Sequence, residues 1–298
     1  MDQPDNSTPL LDECIMTLIP DVVSLALQAG SAIQAIYHDN PHVQYKEDKS
    51  PLTEADLASN EVICNGLRSL SVDRDTPAPI LSEESKAIPY EERRLWSTFW
   101  MVDPLDGTKE FIKKNGEFTV NIALVRDTTP VLGVVYAPEA DALYCGSRGY
   151  GAWKVEGAVA KASQLLSSEA IREHGRILPC ADRENDDKLN VVASRSHQNQ
   201  ATREYIDSLA RERGDMALVS AGSSLKFCLL ATGTADVYPR FAPTMEWDTA
   251  AAHAVLHEAG GSVMRADRQE PLTYNKPDLT NPWFLAEGPH FSRLSQSR

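Results

Sequence analysis

Residues 98–111 read TFWMVDPLDGTKEF. An apolar run drives toward the interior and ends on two aspartates, Asp103 and Asp106, with only Pro104 and Leu105 between them. Two like charges side by side repel, and both are costly to desolvate, so such a turn calls for a positive charge between them. Pro104 cannot donate to a sheet ladder and disfavours helix at Asp103, which predicts that the strand stops there. Asp106 then returns its carboxylate to the side of Asp103, with the carbonyl of Leu105 available between them. Gly107 and Thr108 are expected to open a helix, whose free N–H groups favour an anion such as phosphate. Alone, a DPxD turn is more simply a pair of turn formers and a helix cap. The GT that follows, and carboxylates elsewhere, tip the reading toward oxygen ligands for divalent cations beside an anion cradle.

Three stretches supply those carboxylates. Ser82-Glu83-Glu84-Ser85 puts two glutamates at the end of an expected strand. Asp56, in SPLTEAD, starts a helix after a proline-bearing loop, where a negative charge also suits the helix dipole. Glu246-Trp247-Asp248 precedes the apolar helix TAAAHAVL, with Asp248 placed to cap it. Hard cations such as Mg²⁺ take carboxylate, carbonyl and water oxygens, and this set would furnish two neighbouring sites.

The chain has 298 residues, 42% apolar and 24% charged, an ordinary soluble-enzyme composition. Its net charge of −14 and the lack of a Lys/Arg cluster argue against nucleic acid as a partner. An anionic surface also repels anionic substrates, so a phosphate site must bring local positive charge. Five scattered cysteines without a CxxC pair fit a reducing cytoplasm better than a disulfide framework or a zinc site. The acidic N-terminus, MDQPDNSTPLLDE, lacks a signal-peptide layout. No apolar stretch looks close to the ~18 residues of a membrane span, so no integral segment is expected, with peripheral membrane contact left open.

Periodicity predicts helices over 19–37 and 54–70 and strands over 79–82, from Phe118 to Leu124, over 131–137, 143–145 and 152–155, with the RGYG stretch as a turn. Residues 157–188 show no clear period and read as a join between lobes. The second half alternates: strands at 190–193, 217–220, 236–238 and 283–286, helices at 198–213, 224–232 and 248–259. The expected division is a tail at 1–15, an α+β lobe with the metal site at 16–160, and an α/β lobe with substrate-binding residues at 161–298. His253 and His257 have a zinc-compatible spacing, but Ala254 stands where a zincin has Glu, so they read as ordinary helix residues. Cys228 reads as core, and Trp247 as packing beside the metal site. Ser196 and His197, in SRSH, line the cleft or else cap the next helix.

DPLDGTKEFIKKNGEFTVNIALV, SPLTEAD, SEES, SRSH, GSSLKFCLLA and YPRFAPTMEWDTAAAHAVL together resemble the inositol monophosphatase superfamily, closest to its CysQ-type bisphosphate nucleotidase branch. The resemblance runs from about Lys46 to Ala286; the first fifteen residues and 160–188 fit it poorly. It implies an α/β fold, a layered αβαβα sandwich with its site between the lobes. It implies metal ligation by Glu83, Asp103, the Leu105 carbonyl, Asp106 and Asp248, with two or three Mg²⁺ ions per site and Li⁺ as inhibitor. Asp56 and Thr108 would orient the attacking water, and Gly107 and Thr108 would offer N–H groups to the phosphate. Ser196, His197, Ser223, Lys226, Arg240 and Asp248 would bind substrate. The implied activity is removal of the 3′-phosphate of adenosine 3′,5′-bisphosphate to give AMP. Alternatives are an inositol monophosphatase of broad tolerance and, from another class, a non-catalytic nucleotide sensor; homodimerisation is left open. Ser223 and Lys226 lie three apart at a helix start, and Arg240 follows a short strand. Lysine and arginine together suit a second, non-reacting phosphate, which an inositol monophosphate lacks.

Overall fold

The computed structural model describes residues 15–38, 43–45, 51–73, 76–181, 188–193 and 199–291. Helix α1 (Ile19–Tyr37) buries Val22, Val23, Ala26, Ala29 and Ile33 along one face, as its periodicity predicts. Short strands β1 (Val43–Tyr45) and β2 (Pro51–Thr53), and β3 (Ser71–Asp73) and β4 (Thr76–Pro77), form two antiparallel pairs. The main sheet opens with β5 (Ile80–Ser82) and β6 (Thr98–Asp106), which run parallel and are joined through the short helix α3 (Tyr90–Arg93). Antiparallel strands β7 (Thr119–Arg126), β8 (Thr129–Ala137), β9 (Ala142–Ser147) and β10 (Gly151–Glu156) continue the sheet. With β11 (Arg176–Ile177) it is seven-stranded, in the order β11-β10-β9-β8-β7-β6-β5.

A second sheet has five strands: β12 (Leu189–Val192), β13 (Met216–Val219), β14 (Val237–Arg240), β15 (Ser262–Arg265) and β16 (Phe284–Glu287). Its order is β13-β12-β14-β16-β15, with the first three parallel and the rest antiparallel. Strand β15 has no counterpart in the sequence reading; its four residues after Gly260-Gly261 carry too short a pattern to signal a strand.

Sidedness along β6 and β7 explains the layering. Trp100, Val102, Val120, Ile122 and Leu124 face α1 and α2 (Glu54–Leu67) in one core. Phe99, Met101, Ala123 and Val125 face the opposite way, toward α8 (Leu225–Thr232) and α9 (Ala250–Glu258) in a second core. A third core holds Val191 and Val237 against Ile206 and Leu209 of α7 (Gln200–Arg213). The order is helices, sheet, helices, sheet, helix: the expected layered sandwich. The alanine-rich face of α9 lies directly on β8, where a Cβ at Gly133 would come within 2.0 Å of the Ala251 carbonyl oxygen. Period 2 thus puts Asp103 and Asn121, paired in register, on the face that looks toward the second sheet.

Three expectations change. Strand β6 does not stop at Asp103 but continues to Asp106, because a register break between the two absorbs Pro104, which needs no ladder donor there. Residues 157–188 are structured where described: α5 (Ala158–Lys161), α6 (Ser168–His174) and β11, so the first sheet extends past residue 160. The helical run Ile15–Tyr37 is long and apolar enough to cross a membrane by length and composition. Half of its apolar window is buried within the fold, and α1 packs on α2 and β8.

Candidate metal centre and substrate cleft

Parallel pairing of β5 and β6 sets Ser82 beside Val102, so the next residues, Glu83 and Asp103, emerge side by side. Asp248, from the turn before α9, approaches from the layer between the sheets. One carboxylate oxygen from each of Glu83, Asp103 and Asp248 lies within 4.8 Å of the others. Asp103 is 1% exposed. Burial, followed by the charges of Glu83, Asp106, Asp248 and Asp56, holds its carboxyl well above the usual range. Asp248 is likewise raised well above its usual value by burial and then Asp106, against the N–H of Met245 and Arg240. An oxygen-only donor set that cannot stay ionised together without a cation fits a hard divalent ion.

Asp248 does not cap α9. Its Oδ2 accepts from the N–H of Met245 at 2.8 Å, and the N-cap residue is Thr249. Asp106 sits at the end of β6, half-buried, its Oδ2 taking hydroxyls from Ser223 at 2.7 Å and Ser224 at 3.0 Å. The carbonyl of Leu105 lies 3.4 Å from Thr108 Oγ1.

Asp56 divides its two oxygens. Oδ2 closes a capping box at the start of α2, accepting from Thr53 N at 2.8 Å and Thr53 Oγ1 at 2.5 Å. Oδ1 accepts from Thr108 Oγ1 at 3.1 Å, across 52 residues of sequence. Burial raises the Asp56 carboxyl, against the bonds from Thr53 and Thr108. Helix α2 is pinned over the strand ends by Ser59 Oγ donating to the Pro104 carbonyl at 2.7 Å and Ser82 Oγ donating to Asn60 at 2.7 Å. Gly107 takes φ +93°, and a Cβ there would stand 3.1 Å from the Glu117 carbonyl, so glycine alone makes this turn into α4 (Thr108–Ile112) without strain.

Beside these acids lies a cavity of about 360 Å³ between the sheets, bordered by Asp106, Asp248, Ser223, Lys226, Tyr238 and Arg240, and by Lys113 at its rim. The ammonium of Lys226 donates to the carbonyls of Ser223 at 2.7 Å and Ala221 at 3.3 Å. Burial pulls its pKa down to about 8, the nearby Asp106 resisting and Arg240 adding to the fall. Arg240 donates to the Pro243 carbonyl at 3.0 Å and stands against the Tyr238 hydroxyl, while its Nε is buried with no partner among the described residues.

A model of the inositol monophosphatase family matches residues 17–289. The chain is 45% identical over 271 residues to the 3′(2′),5′-bisphosphate nucleotidase CysQ of Escherichia coli K12, covering 90% of this chain and 98% of that protein. It is 46% identical over 248 residues to the CysQ of Salmonella typhimurium, covering 83% of this chain and 89% of that one. The crystal structure of CysQ from Bacteroides thetaiotaomicron superposes with a TM-score of 0.78 at 47% identity, over 90% of this chain and 96% of that one. This chain belongs to the inositol monophosphatase family.

Among the family motifs here, Glu83, Asp103, Asp248, Asp106, Asp56 and Thr108 come together, as do Ser223, Lys226 and Arg240. Ser196 and His197 lie outside the described residues. Glu84 does not join the acid cluster. His253 is buried against Tyr274 at 2.9 Å and His257 meets Glu258, so neither approaches the acids. Cys228 is core on α8, and RGYG turns β9 into β10. Thr119, Asn121 and Ser224, which the sequence reading did not single out, also face this site; the polar residues in the otherwise apolar FTVNIALV were the available signal.

Proposed function

We propose that this chain hydrolyses the 3′-phosphate of adenosine 3′,5′-bisphosphate, giving AMP and phosphate, with Mg²⁺ held by Glu83, Asp103, the Leu105 carbonyl, Asp106 and Asp248. The bisphosphate nucleotidase activity of the Escherichia coli and Salmonella relatives, 45–46% identical over 83–90% of the chain, carries this reading. A cavity beside the acids, bordered by Lys226 and Arg240 with Lys113 at its rim, supports it. Bound divalent ions would supply an activated water and neutralise phosphate charge, a requirement this acidic protein cannot meet alone. Thr108 has one proton, and giving it to Asp56 Oδ1 leaves its oxygen free to accept from water. Asp56, raised by burial toward the working pH, is the base at the end of that path. Water oxygen attacks phosphorus, the bond to the 3′-oxygen breaks, and that oxygen leaves to be protonated as the nucleotide hydroxyl. Backbone N–H groups of Gly107 and Thr108 would receive the reacting phosphate, while Ser196 and His197 would contribute from the following lobe.

Lys226 and Arg240 would hold the second, non-reacting phosphate. Inhibition by Li⁺ and a cytoplasmic setting belong to the same reading; Cys64, Cys145, Cys180 and Cys228 all remain free thiols, which suits reducing conditions. Arg240→Ala tests the substrate. Loss of a charge-assisted contact of about 1.5–3 kcal/mol predicts a fall of roughly 10- to 100-fold on the bisphosphate. Residual activity on inositol 1-phosphate should barely change. Equal losses on both would make Arg240 a support for the reacting phosphate or the fold, and would remove the residue-level case for a nucleotide.

A further inference from the structure

Two hydroxyls from the turn before α8 converge on one oxygen of Asp106, and a third, on β7 of the first sheet, stands behind them. Ser223 Oγ donates to Oδ2 at 2.7 Å, and Ser224 Oγ lies 3.0 Å from Oδ2 and 2.9 Å from the Asp248 carbonyl oxygen. Thr119 Oγ1 is in hydrogen-bond contact with Ser223 Oγ. Thr119 is the cross-strand partner of Asp106 beyond the break in β6, and it is wholly buried; Ser224 is 2% exposed.

Counting protons fixes the direction. A carboxylate only accepts, and a hydroxyl has one proton, so the proton of Ser223 goes to Asp106. Thr119 must then donate to Ser223. Asn121 Oδ1, 3.4 Å from Thr119 Oγ1, is left out. Ser223 holds φ +51°, a left-handed conformation that side chains avoid, at the point where its hydroxyl meets Asp106.

We propose that Thr119→Ser223→Asp106, braced by Ser224, whose single proton is shared between Asp106 Oδ2 and the Asp248 carbonyl, is a hydroxyl relay that sets the rotation of the Asp106 carboxylate. Oδ1, with no hydrogen bond among the described residues, is thereby left as the ligand oxygen. The same bonds tie a carboxylate of the first sheet to the segment that carries Asp248. Ser223 is then a positioning residue, not a contact to the nucleotide. Partners behind a metal ligand typically change metal affinity about 10- to 100-fold when removed. This role rests on the metal-dependent reading above.

Calorimetric titration of the full chain with Mn²⁺ alone tests it. Ser223→Ala should weaken Mn²⁺ binding on the order of tenfold, while KM for the bisphosphate at saturating metal stays at the wild-type value. Thr119→Val should lose part of the affinity and Thr119→Ser should restore it. Because Thr119 acts through Ser223, the double variant should bind Mn²⁺ no more weakly than Ser223→Ala. Should Ser223→Ala fail to fold, the Thr119→Val and Thr119→Ser pair carries the test. Wild-type Mn²⁺ affinity in the Thr119→Val and Ser223→Ala variants, or a raised KM at unchanged metal affinity, would overturn the relay; strictly additive losses would detach Thr119 from it. A wild-type chain that binds no Mn²⁺ would overturn the metal reading itself.

Discussion

Glu246 and Asp248 stand two residues apart and show opposite ways to bury a carboxylate. Glu246 is 0% exposed. It accepts from the Lys276 ammonium at 2.5 Å and from the N–H groups of Asn275 at 2.6 Å and Lys276 at 3.0 Å. Burial still raises its carboxyl, but each neighbour pulls against that rise. Asp248 shares its space with Asp103 and Glu83, and around Asp103 every charged neighbour pushes the same way as burial. The first arrangement ties a loop to the fold. The second is unstable by itself and becomes favourable when a cation enters. Proximity in sequence says nothing of which is which; the partners do.

Removing a charge from the acid cluster should break this contrast most strongly. Asp103→Asn takes away both a ligand and a repulsion. Turnover should fall by about 10³-fold or more at ordinary Mg²⁺, since a catalytic metal contributes several kcal/mol and each 1.36 kcal/mol is tenfold. Thermal unfolding without metal should meanwhile move upward, because the folded state no longer holds crowded carboxylates. Full activity in this variant would end the two-metal reading. Asp56→Asn separates base from ligand: the rate should drop about 10²–10⁴-fold while Mn²⁺ affinity in calorimetry stays put. A collapse of metal binding there would make Asp56 a ligand or a structural group.

Much of this contrast was legible in residues. Pro104 between two aspartates after an apolar run announced the acid turn, and TAAAHAVL announced an apolar helix, though not its close seat on β8. The continuation of β6 to Asp106 was hidden because proline usually ends a strand, and only the pairing of Asp106 with Thr119 reveals the bulge. Glu246 was grouped with Asp248 by sequence, yet its partner Lys276 lies 30 residues away, a tertiary contact with no local signature. Asp56 carried one local reading, helix charge, which its Oδ2 serves in the capping box, while Oδ1, bonded to Thr108, is the oxygen left for the role the resemblance implies. The apolar run from Ile15 to Tyr37 does not read as one long apolar segment because its polar residues, Asp21 among them, are spaced through it and turned outward.

Breaking the satisfied site instead should affect stability rather than chemistry. Lys276→Met leaves the Glu246 charge buried with amides alone for company. Breaking a buried pair from one side costs about 3–5 kcal/mol, and the partly exposed ammonium places this one near the lower end. Urea unfolding should show the loss, and Glu246→Gln in the same chain should recover most of it. An unaltered midpoint in Lys276→Met would mean that the N–H groups of Asn275 and Lys276 suffice.

The smallest expected effect concerns a third mode of burial, a titratable group kept neutral. His253, on α9, contacts Tyr274 Oη through Nδ1 at 2.9 Å. Tyr274 Oη donates to Thr249 Oγ1 at 3.2 Å, and Thr249 Oγ1 donates to the Glu246 carbonyl at 3.1 Å. With the tyrosine proton spent on Thr249, the imidazole must carry its own proton on Nδ1 and give it to Tyr274. Burial first, and then His257, press the His253 pKa down to about 3. Above pH 6.5 neither folded nor unfolded chain protonates this ring, so no stability depends on it. As pH falls below 6.5 the unfolded chain takes up a proton that the folded one refuses, and stability drops until about pH 3. Between pH 7 and pH 5 the loss is about 2 kcal/mol, at about 1.4 kcal/mol per unit. Asparagine places an amide where Nδ1 stands and has nothing to titrate. His253→Asn should therefore unfold with a shallower pH dependence than wild type, the gap shrinking by about 2 kcal/mol from pH 7 to pH 5 as the carboxylates common to both cancel. Parallel curves would show that His253 accepts a proton in the folded chain, and that Tyr274 turns its hydroxyl to make room for it.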